Sequence, residues 1–198
     1  PGAPAPAPSP SRQRYRVAII GGGPAGCACA LALARHGVHD VLVIEAGDYT
    51  PFRIGESIPP EANRLFQALG IAQEFFAEAH APCHGSCSWW GSDKRGYNDA
   101  LMHPLGHGWH LERARFNRFL ARQVRLRGTE VLERASLAAS APAQGGGFAL
   151  ELRLGDPAHP HPHPARIHAD LVVDASGTRA IFARQRGSRK VETLPLVC

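Results

Sequence analysis

Residues 16–45 read RVAIIGGGPAGCACALALARHGVHDVLVIE, and this stretch decides the fold. Val17 to Ile20 is a short apolar run of the kind that forms a strand buried on both faces. Gly21, Gly23 and Gly26 follow as G-x-G-x-x-G, and Ala28 to Arg35 continues as an Ala/Leu-rich helix. Val41 to Ile44 reads as a second buried strand and runs into Glu45. Strand, glycine turn, helix, strand and acid, in that order, are the parts of a dinucleotide site. Gly21 permits the tight turn, Gly23 lets the backbone approach a pyrophosphate, and Gly26 lets helix and sheet pack closely. The helix N-terminus offers unpaired N–H groups and a positive dipole end to the phosphates. Glu45 stands where it can accept the hydroxyls of an adenosine ribose. Pro24 and Ala25 inside the turn, and Ala46 after the acid, are expected at the same ligand. The competing reading is a glycine-rich turn with no ligand.

The chain has 198 residues, enough for one real core, with 44% hydrophobic and 20% charged residues, as in ordinary globular domains. Its formal net charge is +5, but the arginines are scattered rather than blocked, so no nucleic-acid surface is read from charge. No apolar run approaches the ~20 residues of a membrane span. Pro1 to Pro10 is a Pro/Ala-rich stretch without the layout of a signal peptide, and residues 1–13 are expected to be a flexible tail. Five cysteines and no secretion signal point to a reducing cytoplasm. Cys27 and Cys29 are expected to be packing thiols in the first helix. Cys83 and Cys87 form C-x3-C with no second ligand pair nearby, which favours strand positions over a zinc site.

Further along, Arg53-Ile54-Gly55-Glu56-Ser57 is a polar loop, either a helix cap or a segment lying over the cofactor. Glu61 to Leu69 has helical spacing with Leu65, Phe66 and Leu69 apolar, Gly70 can end it, and Ile71 to Ala79 reads as another short helix. Cys83 to Trp90 is expected as a strand, with Tyr97 to His103 as a second strand of the same sheet. Trp89 and Trp90 cannot both face one side, so one is assigned to the core and the other is a pocket candidate. Pro104 to His110 reads as a turn; its His103, His107 and His110 make a poor metal trio, with irregular spacing and no carboxylate. Leu111 to Arg127 is the strongest helix after the first, with Phe116, Phe119, Leu120, Val124 and Leu126 on its apolar side. Arg113 falls in its first turn, against the helix dipole, which suggests placement for a ligand; a solvated arginine is the alternative. Thr129 to Leu132 is expected as a third parallel strand.

From Ser136 the pattern becomes a meander: strands at Leu137 to Ala143, Phe148 to Leu154 and Arg166 to Val173, with Gly145-Gly146-Gly147 turning the first pair and a His/Pro-rich connection from Gly155 to Pro164. The last strand runs into Asp174-Ala175-Ser176-Gly177, a second place for the cofactor. Asp174 is a candidate acceptor for a hydroxyl, and Gly177 allows close approach.

These pieces together resemble the N-terminal half of FAD-dependent monooxygenases of the p-hydroxybenzoate-hydroxylase-like superfamily. The branch they resemble most contains the flavin-dependent halogenases and the flavoproteins that hydroxylate tryptophan during tryptophylquinone maturation. The matching segments are GGGPAG at Gly21 to Gly26 with Glu45, RIGES at Arg53 to Ser57, GWHLERARFNRFL at Gly108 to Leu120, and VVDASGTRAIFAR at Val172 to Arg184. The resemblance implies an α/β fold: a Rossmann-like FAD-binding domain with an inserted β-meander and the start of a substrate-domain sheet. It divides the chain into residues 14–80 and 111–187 of the FAD-binding domain, 81–110 as substrate-side strands, and 188–198 as the start of a further domain. It implies that Gly21, Gly23 and Gly26 hold the pyrophosphate and Glu45 the ribose. Arg53 and Ser57 would face the flavin, Arg113 would contact the cofactor near its phosphates, and Asp174 and Gly177 would take the DG-like position. Asn117 stands where the family has Asp, and is read as a changed helix contact without effect on the chemistry. The family's later Gly-Asp motif and most of its substrate pocket have no counterpart in these 198 residues, as in a fragment.

The implied activity is insertion of oxygen into an electron-rich aromatic ring through a flavin C4a-hydroperoxide, with NAD(P)H or reduced flavin from a reductase as electron donor. The implied substrate is an indole, free or carried as tryptophan by a partner protein or peptide, which the loops around Trp89 to Tyr97 and Gly106 to Trp109 would meet. His107 and His110 are the nearest, weak candidates for a catalytic acid or base. Tryptophan halogenases carry an essential lysine on the strand after the GES helix, and residues 82–90 contain none. That gap favours hydroxylation over halogenation, with an isoprenoid reductase of the same fold and a non-catalytic flavoprotein module as further alternatives.

Overall fold

The computed structural model describes residues 9–52, 54–89, 91–155 and 163–191. Strand β1 (Arg14–Ile20) leads through the glycine turn into helix α1 (Pro24–Arg35), and β2 (Val41–Ile44) returns parallel to β1 with Val17 opposite Val41. Next come β3 (Glu56–Ile58), α2 (Glu61–Leu69) and α3 (Ala72–Ala77), then the short strands β4 (Ala81–Cys83), β5 (Gly85–Ser88), β6 (Gly96–Asp99) and β7 (Gly108–Leu111). Helix α4 (Arg113–Leu126) and β8 (Glu130–Leu132) precede the meander β9 (Ala135–Pro142), β10 (Phe148–Leu154) and β11 (His163–Asp174). A 3-10 turn at Gly177–Arg179 and α5 (Ile181–Gln185) follow.

The main sheet has six strands in the order β8-β2-β1-β11-β10-β9. β8, β2, β1 and β11 run parallel, as the third-strand expectation required. β11 is long enough to serve two partners. Its first half, from His163, pairs antiparallel with β10, and its second half, from His168, pairs parallel with β1. The meander is therefore continuous with the parallel sheet.

The period of two along β1 and β2 divides the core. Val17, Ile19, Val41 and Val43 face α1 and α4, where Cys27, Leu31, Phe116, Phe119 and Leu120 pack with Phe66 and Phe75. Ala18, Ile20, Leu42 and Ile44 face the other way, against Leu137, Leu150, Leu152, Leu154 and Ile167 of the meander. Both faces of these strands are thus dry, which is why they read as unbroken apolar runs. Among the described residues no helix is long and apolar enough to cross a membrane.

Helix α2 matches its expected span, and Gly70 ends it in the left-handed conformation at φ +68°. Leu65 and Leu126, however, are exposed rather than core residues; both project from the outer side of their helices. The stretch expected as one strand from Cys83 to Trp90 is two. β4 joins β3 and β7 in a three-stranded sheet, while β5 pairs, among the described residues, only with β6. The expected turn at Pro104 to His110 ends as strand β7, the centre of the three-stranded sheet. Its glycine is there for close approach, since a Cβ at Gly108 would lie 2.2 Å from the carbonyl oxygen of Ile58. Trp109 packs edge-on to Phe75 and donates its indole N–H to Asn63 at 2.7 Å, so of the stretch Gly106 to Trp109 the last two residues belong to β7, while Gly106 is exposed ahead of the strand. Trp89 is exposed and covered on one face by the Arg95 guanidinium at 4.3 Å; it is not core, and Trp90 lies outside the described residues. The tail is tied down from Ser11, whose hydroxyl and amide both donate to Glu130. Most of the His/Pro-rich connection, residues 156–162, lies outside the described residues.

His80 carries a pH prediction. It is buried against Phe75, its Nε2 has no partner, and burial together with the Arg115 guanidinium pushes its pKa down despite Glu78 and Glu112 nearby. Below the ordinary histidine pKa of about 6.5 the unfolded chain takes up a proton that the folded chain resists. Stability is therefore full above that pH and falls as the pH drops. The variant His80→Phe is expected to flatten the urea-midpoint profile between pH 5 and 7.5; an unchanged slope would contradict this account.

Candidate functional site

A cavity of about 280 Å³ opens beyond the C-terminal ends of β1, β2 and β11, where α1 begins. This is where ligands bind in open parallel sheets. The glycine turn contributes Gly21, Gly23, Pro24 and Ala25 to its wall. The three motif glycines play separate parts. At Gly21 φ is +107° and a Cβ would lie 2.5 Å from the Ala175 carbonyl oxygen, so both the conformation and the contact require glycine. At Gly26 a Cβ would lie 1.9 Å from the Gly21 carbonyl oxygen. At Gly23 a Cβ would meet nothing within 4 Å: its bare backbone faces open space, as a cradle for a phosphate would.

Glu45, also on the wall, accepts the Gly22 amide at 2.7 Å and the Gly47 amide at 2.8 Å. It therefore fixes the turn, and its carboxylate oxygens keep lone pairs for ribose hydroxyls. Gly22 is held from the other side as well. Its carbonyl accepts the Tyr49 hydroxyl at 2.9 Å and the Cys27 thiol at 3.1 Å. Cys27 is a packing thiol as expected; burial, with Glu45 nearby, pushes its pKa up to about 12, so it is no nucleophile. Tyr49 is buried, lines the cavity and sits at φ +61°, a rare conformation for a non-glycine residue. Nothing in the local sequence marks it, because its partner lies 27 residues away. Tyr49→Phe is expected to cost about 1 kcal/mol of stability, the worth of one hydrogen bond, and to weaken dinucleotide binding about threefold as the turn loosens. Denaturant melts and calorimetric titration would check both; unchanged binding would show that the pin is idle.

Arg113 and Asn117 of α4 also line this cavity. Arg113 is mostly buried, and its Nη1 donates to Glu56 at 2.6 Å, which offsets the cost of a cation at a helix N-terminus. Asn117 is 4% exposed, and structure places it on the cavity rather than at a helix contact. Its position four residues after Arg113, on the same helix face, was the available clue. Gly177 and Arg179 complete the rim beside Gly21, and Arg179 was not expected there. Ala46 lies in a small adjoining recess of about 40 Å³, with Leu137 and Ile181.

Asp174 is not on the wall. Its carboxylate accepts the Ser176 amide (3.1 Å) and hydroxyl (2.5 Å) and the Ala183 amide (2.8 Å). These bonds position the rim that carries Gly177. Burial alone would raise its pKa, but these hydrogen bonds outweigh that and hold it below the ordinary value. Ser57 lies elsewhere too, bordering a separate cavity of about 320 Å³ with Glu61, Asp99 and His103. Its hydroxyl pairs with His110 Nδ1 at 2.7 Å across β3 and β7. His110 is exposed, and His107 stacks edge-on against Trp109 with its Nδ1 2.8 Å from the Gly108 carbonyl oxygen. His103 pairs with Glu61 at 3.3 Å, so the three histidines take three different partners. Arg53 lies outside the described residues.

The residues present fit FAD. A glycine cradle, a carboxylate for hydroxyls and a guanidinium share one cavity. Comparison with known proteins agrees. The FAD binding domain family matches residues 14–194. LodB of Marinomonas mediterranea, named as an FAD-dependent oxidoreductase, is 28% identical over 158 residues, 76% of this chain and 40% of its own length. The flavin-dependent halogenase gsfI of Penicillium aethiopicum is 28% identical over 162 residues, 76% of this chain and 30% of its own length. The flavin-dependent halogenase CmlS superposes with a TM-score of 0.75 at 28% identity, over 89% of this chain and 31% of that one. The chain thus spans well under half the length of these relatives.

Proposed function

Since the chain belongs to the FAD binding domain family, we propose that it is the FAD-binding part of a monooxygenase that inserts oxygen into an electron-rich aromatic ring, an indole in particular. The bound flavin supplies the oxygen chemistry. The protein's own share is to hold and orient it. Gly23 and the start of α1 take the pyrophosphate, Glu45 takes the ribose, and Arg113 neutralises phosphate charge. The observation that carries the reading is the convergence of these groups on one cavity at the strand ends. The second cavity, at Ser57, supports a neighbouring place for an aromatic substrate, with Glu61, Asp99 and His103 as hydrogen-bond partners. The exposed Trp89 and Tyr97 suit contact with a tryptophan-bearing peptide. NAD(P)H or a flavin reductase delivers the electrons.

A second reading, halogenation, is favoured by the relatives named for it. Against it stands the strand after α2: β4 and β5 carry no lysine, and the sequence's two lysines are Lys94 and Lys190. The test supplies the flavin-loaded full-length protein with a reductant, oxygen and indole, tryptophan or a tryptophan peptide, with and without halide. Hydroxylated product independent of halide supports the proposal, halogenated product replaces it with the second reading, and a flavin inert to oxygen makes the chain a non-catalytic module.

A further inference from the structure

We infer that the second cavity, beside Ser57, takes an aromatic amine: the ring lies against Ile58, Pro59 and Pro60, and a protonated amine pairs with Asp99 and Glu61. The inference rests on the reading above of this cavity as the place of an aromatic substrate, and adds the charge which that substrate carries.

The cavity measures about 320 Å³, within the ~300–1,000 Å³ of small-molecule sites. Its lining is of two kinds. Ile58, Pro59 and Pro60 are apolar and suit a ring. Glu61, at the start of α2, and Asp99, at the end of β6, bring two carboxylates from separate elements. Among the described residues no lysine or arginine lines this cavity. That sets it apart in a chain with 22 Lys and Arg against 17 Asp and Glu.

Elsewhere arginines take up the carboxylates. Arg12 holds Asp40, Arg113 holds Glu56, Arg134 holds Asp48, and Arg115 and Arg122 together hold Glu78. Asp99 is exposed and has no cationic partner among the described residues; its Oδ1 accepts the Leu101 amide at 3.2 Å. Glu61 pairs with His103 at 3.3 Å. His103 Nδ1 accepts the Leu105 amide at 3.2 Å, so Nε2 is the nitrogen that donates to Glu61. This bond orients Glu61, whose side chain is 63% exposed and therefore within reach of a ligand.

A cleft lined by one sign of charge draws the other. An ammonium group is cationic and only donates, so it satisfies both carboxylates. A carboxylate on the ligand meets no lysine or arginine here and stands beside two like charges. The cavity therefore favours an aromatic amine over the corresponding amino acid or acid.

The test is calorimetric titration of the flavin-loaded full-length protein with probes of one size and three charges: tryptamine, 3-ethylindole and indole-3-propionate. Phenethylamine, which keeps the amine and changes the ring, is the fourth. Tryptamine is expected to bind about tenfold tighter than 3-ethylindole, and indole-3-propionate more weakly than either. Asp99→Asn, which keeps an acceptor for the Leu101 amide, and Glu61→Gln are each expected to cut the tryptamine advantage about threefold, as part-exposed charge pairs do, with 3-ethylindole unchanged within about twofold. Equal affinity for the three indoles, or an advantage of tryptamine that survives both substitutions, overturns the inference and leaves the cavity an indole site. Phenethylamine bound in dependence on Asp99 and Glu61 while no indole binds upholds the amine and overturns the indole reading. A protein that binds none of the four overturns both.

Discussion

Replacing Gly26 with alanine is expected to destabilise the protein by about 3 kcal/mol, the upper part of the range for overpacking, and to weaken FAD binding about a hundredfold as the N–H groups at the start of α1 lose their aim. The new Cβ would lie 1.9 Å from the Gly21 carbonyl oxygen, 3.0 Å from its carbonyl carbon and 3.3 Å from Ile19 Cγ2. The nearest obstacles are backbone, which cannot rotate aside as a side chain does. The helix must therefore retreat from the turn, yet Cys27, Ala30 and Leu31 hold it in the core. Gly23→Ala is the control. Its Cβ meets no protein atom within 4 Å, and at φ −71° alanine is unstrained. Stability should stay within ~0.5 kcal/mol while the methyl, standing in the phosphate cradle, still weakens FAD. Urea melts and FAD titrations separate the two. A Gly26→Ala protein of wild-type stability would contradict the close-packing role, and undiminished FAD binding by Gly23→Ala would contradict the cradle.

The second large effect is expected at Asp174. Its carboxylate holds Ser176 and the first turn of α5 together, and Ser176 Oγ in turn accepts the Ile181 amide at 2.8 Å. Hydrogen bonds to a charged group are worth roughly 1.5–3 kcal/mol each, but part of this one's hold is shared with solvent, so Asp174→Ala should cost about 2–3 kcal/mol in all. The rim that carries Gly177 and Arg179 loosens with it, and FAD affinity falls about tenfold, in proportion to one lost charge-assisted contact. The pH sign follows from the depressed pKa. Stability from this carboxylate is present above the unfolded aspartate value of about 3.9 and is lost as the pH falls through the lower folded value. The wild-type protein should lose more stability than Asp174→Ala in acid below about pH 4. Parallel acid profiles for the two proteins would show that the carboxylate does not hold the rim.

The parts of the fold that follow from local pattern could be read from the residues alone. β1 and β2 are parallel strands with buried apolar runs, so those runs and the Gly21 to Gly26 turn pointed to one arrangement. α4 was equally clear from its Phe and Leu spacing. The small sheets were not, because their strands are three or four residues long and glycine has two meanings in them. Gly108 resembled a turn residue, but it is needed where β7 passes under the Ile58 carbonyl. That distinction depends on a contact 50 residues away. The site divides in the same way. Glycine turn, Glu45 and Arg113 belong to the motif and lie together. Tyr49, Asn117 and Arg179 join them only because α4, the loop after β2 and the end of β11 meet over the turn. Asp174 reads as a ligand residue because an acid at a strand end often is; what the sequence pattern did not show is that its oxygens also accept the Ser176 amide and hydroxyl and the Ala183 amide.

The most direct test of the account is the cofactor itself: release by denaturation of the full-length protein reconstituted with excess flavin, followed by identification and counting of what it held. The account predicts one FAD per chain, retained over FMN because the glycine turn and Glu45 grip the adenosine half, and lost from Gly26→Ala. No retained flavin, or FMN held as well as FAD, would mean that the cavity between the glycine turn and α4 serves another ligand.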